Sequence, residues 1–505
     1  MLKKMALVII IILALLPAQA NSTVSPGWEK HVIAPQTRPM YLYVKDLDRD
    51  GDLDVVSTTN QHPYKFLSEV AWFRNNVNQN APWEKFIIDS STGVDPLNNA
   101  NGVVVADIDG DGYEDVAVAT GRVTKYEGGV YWYKAPADPT GAWQRFDIEE
   151  GSIDSYFKIY AMDANGDGKQ DLVVGGRKGA VLFVNPGSPA EPGAVWGKFL
   201  LSQTGETGSS VYLDDLNGDG RSDIVNTLLY GNVSWIDVLY LNGEFLFNRT
   251  MIDPALDSAF DVNCLDVNGD SRKDVLVTVF LTPTIYWYEN PANTGDPWIQ
   301  HLVTNTYAAS DIYTGDIDKD GKTDFVGSGL WDKKIAWFEY AWENGQALWT
   351  EHLIDDNINE PADISLNDLD GDGDLDVVVC GQKEDQMIWY ENTFAPPTVI
   401  ELSEFSAVPG TSRVAVRWIT ESETDNAGFN LYRSTSEDGE YTKINEDLIS
   451  ASGSATKGAA YEFIDRDVKN RETYYYTLED IDINGRSTSH GPVSATPKLM
   501  YGIGR

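Results

Sequence analysis

Cysteine and histidine are scarce in this 505-residue chain. There are two cysteines, Cys264 and Cys380, and five histidines. Both cysteines fall in predicted core strands of separate, non-adjacent repeats, and a disulfide would need their Cα atoms within ~7 Å of each other. We therefore expect two buried free thiols without a redox role, and a structure stabilised by its core and by bound ions.

Basic residues are also few. The chain has 38 Lys and Arg against 78 Asp and Glu, which gives a formal net charge of -40 and a sequence pI near 4.3. Nucleic acid is excluded as a partner because it requires a basic surface. Such a charge opposes a compact state through self-repulsion, and seven bound divalent cations would reduce it to about -26.

Long apolar runs are absent after the first twenty residues. Those twenty combine a basic start at Lys3 and Lys4, an apolar core from Leu7 to Leu16, and a small-residue site at Ala18-Gln19-Ala20. This pattern predicts a signal peptide over residues 1–20. A membrane anchor is the alternative, but the apolar run is shorter than the ~20 residues that a span needs. We expect a secreted or cell-surface protein with no membrane span after signal removal.

One acidic stretch recurs along the chain. In its seventh copy, Asp368-Leu-Asp-Gly-Asp-Gly-Asp-Leu-Asp376, acidic residues occupy positions 1, 3, 5, 7 and 9, glycine occupies position 6, and a β-branched run follows. Side-chain oxygens at positions 1, 3 and 5, the carbonyl at position 7 and the side chain at position 9 converge on one point, which suits a hard cation such as Ca²⁺.

All seven copies keep an oxygen at each side-chain ligand position. The predicted ligands, with position 7 acting through its carbonyl, are Asp46, Asp48, Asp50, Asp52 and Asp54; Asp107, Asp109, Asp111, Tyr113 and Asp115; Asp163, Asn165, Asp167, Lys169 and Asp171; Asp215, Asn217, Asp219, Arg221 and Asp223; Asp266, Asn268, Asp270, Arg272 and Asp274; Asp316, Asp318, Asp320, Lys322 and Asp324; and Asp368, Asp370, Asp372, Asp374 and Asp376.

An EF-hand and an acidic turn without an ion are the two alternatives to these calcium sites. An EF-hand needs Glu at position 12 and flanking helices, whereas position 12 is never Glu here and the flanks have β character. An acidic turn without an ion is disfavoured for seven matched copies, although it is more plausible for the fifth loop, where Ser271 replaces the position-6 glycine. We expect up to seven structural calcium ions.

The loops repeat every 50 to 61 residues, so one supersecondary unit is used seven times. Each unit has four β-like segments: A before the loop, B after it, C with an aromatic pair, and D beginning with tryptophan. The pattern predicts an all-β chain with a seven-bladed β-propeller over residues 28–392. The chain starts with a D segment and its last unit lacks one, so strand Trp28–Ile33 should pair with Met387–Glu391 and close the ring.

Most tryptophans and three histidines occupy repeated slots. Twelve of the fifteen tryptophans lie in segments C or D, and His31, His301 and His352 share a Trp-x-x-His slot. A residue type repeated in this way is more often used for packing than for catalysis.

A second unit follows the propeller. We predict a stiff linker over residues 393–397 and an all-β sandwich with Trp418 in its core over residues 398–497. Residues 498–505 are predicted to form a tail.

The repeat motifs identify a family resemblance. The Trp-x-x-His-x-Ile, Asp-x-Asp-x-Asp-Gly-x-x-Asp and Trp-Tyr-Glu-Asn patterns resemble the FG-GAP/VCBS repeat family and, through it, the propeller of integrin α-subunits, over Trp28–Asn392. This resemblance implies Ca²⁺ in the A–B hairpins and an exported location. The segment Trp418–Arg433 resembles bacterial fibronectin type III-like domains.

A ligand should lie on the face opposite the metal loops. The residues five before each first Asp should ring the channel there: Tyr41, Gly102, Lys158, Ser210, Asp261, Asp311 and Asp363. Polar packing between repeats is the favoured explanation for this ring, and a polar ligand or extra cation is the alternative. Trp331 and, in the first repeat, His62, Tyr64 and Lys65 lie in loops of that face, where they either contact a ligand or decorate the surface.

Two functions remain. The favoured one is a monomeric, calcium-stabilised binding or adhesion protein that presents loops to an extracellular glycan or protein without catalysis. The other is a carbohydrate-active enzyme, a polysaccharide lyase or sugar dehydratase, on a similar propeller. An enzyme needs a base beside a charge-neutralising cation, and no His/Tyr/Arg cluster recurs outside the packing slots. The fold alone does not decide between them.

Overall fold

The computed structural model describes residues 24–25, 27–59, 68–79, 81–90, 99–121, 128–152, 155–176, 179–191, 193–201, 208–228, 232–279, 281–293, 295–330, 332–343, 345–393, 402–423, 426–437, 439, 441–453, 457–482 and 487–498. The predicted signal peptide and most of the predicted linker and tail lie outside these residues.

Seven four-stranded antiparallel sheets follow one another along residues 28–392. Sheets 1 to 3 contain β2 (Pro39–Lys45), β3 (Asp54–Thr59), β4 (Glu69–Arg74) and β5 (Glu84–Ser90); β6 (Ala100–Ala106), β7 (Asp115–Thr120), β8 (Gly128–Lys134) and β9 (Gln144–Ser152); and β10 (Tyr156–Met162), β11 (Asp171–Gly176), β12 (Gly179–Val184) and β13 (Gly197–Leu200).

The next four sheets have the same strand order. They contain β14 (Gly208–Asp214), β15 (Asp223–Leu228), β16 (Val233–Leu241) and β17 (Glu244–Asp253); β18 (Ala259–Leu265), β19 (Asp274–Val279), β20 (Thr284–Glu289) and β21 (Ile299–Thr304); β22 (Asp311–Gly315), β23 (Asp324–Gly329), β24 (Lys334–Glu343) and β25 (Gln346–Asp355); and β26 (Pro361–Asn367), β27 (Asp376–Gly381), β28 (Gln386–Asn392) and β1 (Trp28–Pro35).

Burial varies systematically across each sheet. The second strand of every sheet is buried along its whole length, which matches its run of β-branched and small apolar residues. The fourth strand alternates more: in β17 exposed Glu244, Leu246 and Asn248 flank half-buried Phe245 and Phe247. Predicted segments A, B, C and D therefore correspond to the first, second, third and fourth strands of each sheet, and the strand of segment B is the fully buried one.

The first strands of the sheets contact one another in a cyclic order. β2 contacts β6, and the same relation continues through β10, β14, β18, β22 and β26, which in turn contacts β2. Apolar cores fill the space between consecutive sheets, and one of them joins Leu42 and Val44 of sheet 1 to Val378 and Cys380 of sheet 7. The first strands therefore surround a central channel.

The chain's first strand completes the last sheet. β1 pairs antiparallel with β28, from Trp28 opposite Asn392 to Pro35 opposite Gln386. The predicted pairing of these two segments is confirmed. Cys264 and Cys380 are free and buried, as expected from their positions on core strands.

The C-terminal part of the chain forms two further sheets that share one core. One contains β29 (Leu402–Gly410), β30 (Arg413–Thr420) and β34 (Ala460–Asp465), and the other contains β31 (Asn426–Ser434), β32 (Thr442–Lys443), β33 (Ile449–Ser450), β35 (Tyr474–Asp482) and β36 (Ser487–Ala495). Trp418 is fully buried between them and stacks on Tyr461 at 5.1 Å, which confirms its predicted place in the core.

Helical structure is minimal. Within the described ranges there is one 3-10 turn, Val77–Gln79, and no helix with the length and apolar character of a membrane span.

We expect Trp28→Ala to destabilise the seven-sheet unit by about 3–5 kcal/mol, because Trp28 is buried against Ile388 and Tyr390 where β1 closes the last sheet. Urea denaturation followed by tryptophan fluorescence measures the effect. Trp342→Ala is the matched control: Trp342 is 41% exposed, so its loss should cost less than about 1 kcal/mol. Equal losses of stability from the two substitutions would contradict the role of Trp28 in closing the last sheet.

Candidate metal loops and central channel

Each acidic loop folds around its own carboxylates. In the third loop, Asp163 Oδ1 accepts the N–H groups of Gly166 (2.7 Å) and Asp167 (3.0 Å), and Asp163 Oδ2 accepts that of Gly168 (2.8 Å). In all seven loops position 1 accepts the position-6 N–H, position 3 the position-5 N–H, and position 5 the position-7 N–H. Local sequence therefore turns these side chains toward the inside of the loop.

The carboxylates at position 9 are buried and tie the loop to the sheet. Asp171 Oδ2 accepts the N–H of Ala164 (3.0 Å), at position 2 of its own loop, and Asp171 Oδ1 accepts that of Asn185 (2.7 Å), after the third strand. The bond from position 2 is present in all seven loops and the bond from the third strand in six.

Burial raises the pKa of every position-9 carboxyl. The pKa is about 6 for Asp171; about 7 for Asp54, Asp115, Asp223 and Asp274; and about 8 for Asp324 and Asp376. Desolvation is the main cause, and neighbouring loop carboxylates add to it. An ionised carboxylate in this position is stabilised by a nearby cation.

Oxygen donors converge in four of the loops. The clusters whose ligand atoms lie within 4.8 Å of one another are Asp46, Asp48 and Asp50; Asp107, Asp109 and Asp115; Asp316, Asp318 and Asp320; and Asp368, Asp370 and Asp376. In the third to fifth loops, position 3 is an asparagine, whose amide oxygen is an equivalent donor.

Buried carboxylate oxygens without a partner support the fit to a hard cation. Oδ1 of Asp107, Oδ1 of Asp316 and Oδ1 of Asp374 are each buried and accept no hydrogen bond from the described residues. Burial raises the pKa of Asp374 to about 8, with Asp372 contributing. Asp374 was predicted to contribute only its carbonyl, whereas the structure also buries its side chain in the loop.

Basic side chains pair with several of the predicted ligands, which the sequence analysis did not anticipate. Lys134 Nζ donates to Asp109 and Asp111, and Arg74 Nε donates to Asp48 at 2.6 Å. Arg221, Arg272 and Lys322, at position 7, pair with the position-5 carboxylates of their own loops. Each of these contacts places positive charge beside the oxygens proposed for calcium.

The fifth loop keeps the geometry of the others despite its serine. Ser271 has φ = 69°, in the left-handed region, where the position-6 glycines have φ between 81° and 98°. Its N–H donates to Asp266 at 2.8 Å, as the glycine N–H does elsewhere. The substitution strains the backbone without changing the loop.

The seven channel residues come together as the repeat spacing predicts. These residues are Tyr41, Gly102, Lys158, Ser210, Asp261, Asp311 and Asp363. Between them they line two cavities inside the ring of first strands. Lys158 crosses the channel: its Nζ lies 2.7 Å from Asp311, 3.3 Å from Asp363 and 3.9 Å from Asp261.

The three channel aspartates also join neighbouring sheets. Asp261 accepts the N–H of Ile312 (3.1 Å), Asp311 that of Ile364 (2.9 Å), and Asp363 that of Leu42 (2.8 Å). Each acceptor lies one sheet before its donor, and the last bond crosses the seam between sheets 7 and 1. This arrangement agrees with polar packing between repeats, and a ligand role for these residues stays a prediction.

Burial is the largest influence on the pKa values in this cluster. Burial raises the pKa of Asp261 to about 7 and that of Asp311 to about 6, while Lys158 acts in the opposite direction on both. Burial tends to lower the pKa of Lys158, but the three carboxylates outweigh it and hold that pKa well above its ordinary value. Lys158 therefore stays protonated.

One cavity faces away from the metal loops. It measures about 250 Å³, and its walls include Met40, Phe157, Phe260 and Leu330, above the Lys158 cluster. Its lining residues come from the beginnings of the first strands and from the loops after the second strands, which is the face where the sequence predicted a ligand.

The second cavity was missed by sequence reasoning. It measures about 300 Å³ and lies on the metal-loop side, where Tyr43, Tyr160 and Tyr313 line it above the same cluster. These tyrosines stand three residues before the first Asp of their loops, so the same repeat spacing could have identified them.

Four residues predicted to lie on the ligand face are not among those that the structure describes. Trp331, His62, Tyr64 and Lys65 lie outside the described residues.

The repeated histidines have packing environments. His31, His301 and His352 stack on Trp389, Trp287 and Trp337 at 4.6, 4.0 and 4.4 Å. Each also hydrogen-bonds a glutamate of the adjacent strand, as in the 2.7 Å contact of His31 with Glu391.

Comparison with known proteins identifies the repeat. The family described as FG-GAP-like repeat matches residues 46–118, 163–226 and 266–327. An amylopullulanase of Thermoanaerobacter thermohydrosulfuricus is 32% identical over 91 residues, which are 18% of this chain and 6% of that relative. The chain therefore spans only a small fraction of this relative.

Two solved structures are also similar. A Fn3-like protein from Clostridium thermocellum has 23% identity, with 21% of this chain and 98% of that one covered, at a TM-score of 0.15. The periplasmic gluconolactonase of Pseudomonas aeruginosa has 14% identity, with 66% and 88% covered, at a TM-score of 0.45. Both TM-scores are below 0.5.

We expect Ser271→Gly to stabilise the protein by about 0.5–1 kcal/mol, because glycine adopts the left-handed conformation of this position without a Cβ penalty. Urea denaturation in excess calcium measures it. The reverse change in a matched loop, Gly321→Ser, should destabilise by a similar amount, since Gly321 has φ = 85°. A neutral or destabilising Ser271→Gly would contradict the strain assigned to this residue.

Lys158→Met should destabilise the protein by about 3–5 kcal/mol, because it leaves three buried carboxylates without their counter-ion. The folded-state pKa values of Asp261 and Asp311 are raised, so their contribution to stability is greatest below pH ~4 and decreases as the pH rises to ~7. Removing Lys158 raises these pKa values further, and the loss relative to wild type should be larger at about pH 8 than at about pH 5.

Lys383→Met is the control for this experiment. The side chain of Lys383 is 56% exposed and pairs with Glu360, so its loss should cost about 1 kcal/mol or less at either pH. Similar losses of stability from the two lysine substitutions would show that the charges of the channel cluster contribute no more to stability than those of a surface ion pair.

Proposed function

We propose that this protein of FG-GAP-like repeats is a secreted, monomeric, calcium-stabilised seven-bladed β-propeller, followed by a fibronectin type III-like sandwich, that binds an extracellular glycan or protein without catalysis. The cyclic contacts of seven four-stranded sheets support the propeller. The two C-terminal sheets around Trp418 support the sandwich.

Calcium is proposed for the acidic loops. The donors are all oxygens, position 1 carries unpartnered buried oxygens in the second and sixth loops, and the position-9 carboxylates are desolvated. Bound Ca²⁺ would supply the positive charge that these carboxylates lack and would hold the first and second strands of each sheet together. Loop residues at positions 1, 3, 5 and 9 would hold it through side chains, with the carbonyl of position 7.

Binding rather than catalysis is proposed on one observation in the channel. Lys158, the cation that faces both cavities, is held protonated by Asp261, Asp311 and Asp363 and so does not serve as a general base. Burial raises the pKa of Tyr41 and Tyr160 beside it, and these hydroxyls also stay protonated. A polysaccharide lyase or dehydratase that used Lys158, Tyr41 or Tyr160 as its base would need that group deprotonated.

The cavity opposite the metal loops is the proposed ligand site of this function. Phe157, Phe260 and Leu330 give it apolar walls, and the charged cluster forms its polar floor. This combination of apolar walls with a few convergent polar groups is usual for ligand sites.

Removal of calcium should lower the melting temperature by roughly 10 °C or more, because up to seven sites contribute binding free energy to the folded state. Calorimetry with excess chelator, then with Ca²⁺ or Mg²⁺ restored, measures this. Recovery should be greater with Ca²⁺. Asp370→Ala should reduce the bound calcium by one ion per chain, whereas Asp467→Ala, at a 96% exposed side chain, should leave it unchanged. A melt that is indifferent to chelator would refute the calcium assignment.

A glycan array together with a lyase assay on acidic polysaccharides tests the binding function. We expect binding without unsaturated products, and a reduction of tenfold or more with Phe260→Ala because it removes a wall of the cavity. Leu246→Ala, at an exposed residue of β17 away from the channel, should have no effect. Turnover to unsaturated products would favour the enzyme instead.

A further inference from the structure

The cavity on the metal-loop side has the composition of a small-ligand site. Its volume of about 300 Å³ is at the lower end of the range for ligand pockets, roughly 300–1,000 Å³, and suits a single ring-sized molecule. The aromatic residues Tyr41, Tyr43, Tyr160 and Tyr313 contribute to its wall, and Asn263, Ser365 and Asn367 add polar groups. Every one of these residues lies on the first strand of a sheet, so the site is built on rigid elements.

The charged groups at this cavity already have protein partners. Lys158 pairs with the three channel aspartates, Asp261 also accepts from Ser210 at 2.7 Å, and Lys45 pairs with Glu114 at 3.4 Å. With three carboxylates around one ammonium group, the floor keeps a negative balance. An anionic ligand would be repelled there, and no free cation of the lining compensates for it.

Hydroxyl groups remain for recognition, because the amide of Asn263 already hydrogen-bonds Cys264, Thr314 and Ile312. Within the described part of the chain, the hydroxyls of Tyr43 and Tyr160 make no hydrogen bond to protein, and Ser365 donates to Asn367 at 2.6 Å next to Tyr313. A tyrosine ring offers an apolar face and a polar tip in one side chain. A ligand that fits must therefore combine a compact apolar face with several hydroxyl groups.

We propose that this tyrosine-lined cavity binds one non-acidic sugar ring, with its hydroxyls directed to Asp261, Asp363 and the tyrosine hydroxyls, and that uronic acids are excluded. The inference rests on the proposed binding function, but it places a second, separate subsite on the metal-loop side of the channel. A polysaccharide then occupies this subsite with one of its sugar units, and acidic polysaccharides are poor ligands for it.

The test uses the calcium-loaded full chain and isothermal titration with the methyl pyranosides of glucose, galactose, mannose and xylose, and with methyl glucuronoside as the acidic counterpart. At least one neutral glycoside should bind. The glucuronoside should bind at least tenfold more weakly than methyl glucoside, or than the tightest neutral probe if methyl glucoside does not bind. Binding of none of the neutral probes, or equal binding of the glucuronoside, would overturn the proposal.

Substitutions assign the binding to this cavity. Tyr313→Ala should weaken the best neutral glycoside at least tenfold, whereas Tyr240→Ala should not change its affinity. The two tyrosines are similarly exposed, at 37% and 39%, and Tyr240 lies on β16 outside the channel. If Tyr313→Ala melts at a lower temperature, Tyr43→Phe and Tyr160→Phe, which remove only hydroxyls, replace it and should each weaken binding severalfold. Unchanged affinity in these variants would overturn the proposal.

The opposite cavity separates this inference from the proposed function. Phe260→Ala should leave monosaccharide binding intact because Phe260 lines only the cavity away from the metal loops. Monosaccharide binding that is lost with Phe260→Ala but retained with Tyr313→Ala would support the cavity of the proposed function and refute the tyrosine-lined subsite.

Discussion

The buried carboxylate at the ninth position of each acidic loop is the constraint on which the rest of the structure depends. It accepts the N–H of position 2 in its own loop and, in six repeats, the N–H of a residue in or just after the third strand. That residue is often an asparagine whose amide extends the connection: Asn185 donates to the carbonyl of Ile108, at position 2 of the preceding loop, and Asn392 donates likewise to Ile317. In the sixth sheet the hydroxyl of Tyr340 donates to Val267 and replaces the asparagine. A carboxylate without solvent is stable only with such donors or a cation, which is why an acidic motif becomes a structural element.

A second layer of polar contacts repeats this logic at the channel. Asp261, Asp311 and Asp363 each accept an N–H from the next sheet, and Lys158 reaches across the axis to balance part of their charge. The two layers fix the sheets at both ends of their first strands. The cavities on either side of Lys158 are therefore lined largely by hydrogen-bonded strands, and a preformed site of this kind reduces the ordering cost of binding. The same charge balance that stabilises the channel keeps Lys158 protonated, which links the architecture to the proposal of a binding rather than a catalytic protein.

Much of the site could be predicted from the sequence, because a local pattern that is weak on its own occurs seven times with one period. One nonamer such as Asp163–Asp171 is ambiguous, but seven with a common period predict the loop, the strands beside it and the ring of residues five positions earlier. The tyrosines three positions earlier carried the same signal, although only Tyr43, Tyr160, Tyr212 and Tyr313 share the residue type. Contacts between basic side chains and the loops were not predictable, because Lys134 reaches Asp109 from the end of a different strand and the length of its side chain does not reveal its direction.

The sequence by itself determined the number of repeats, the strand content, the pairing of Trp28–Ile33 with the last sheet and the acidic loops, because these follow from local periodicity and from the order of segments along the chain. Only the tertiary structure decided that Lys158 meets aspartates that are 103, 153 and 205 residues away, that Ser271 adopts the backbone of a glycine, and that a tyrosine-lined cavity opens on the metal-loop side. The physical reason is that a cyclic arrangement brings together residues that no local pattern relates. Burial then sets their charge states and shapes the space between them.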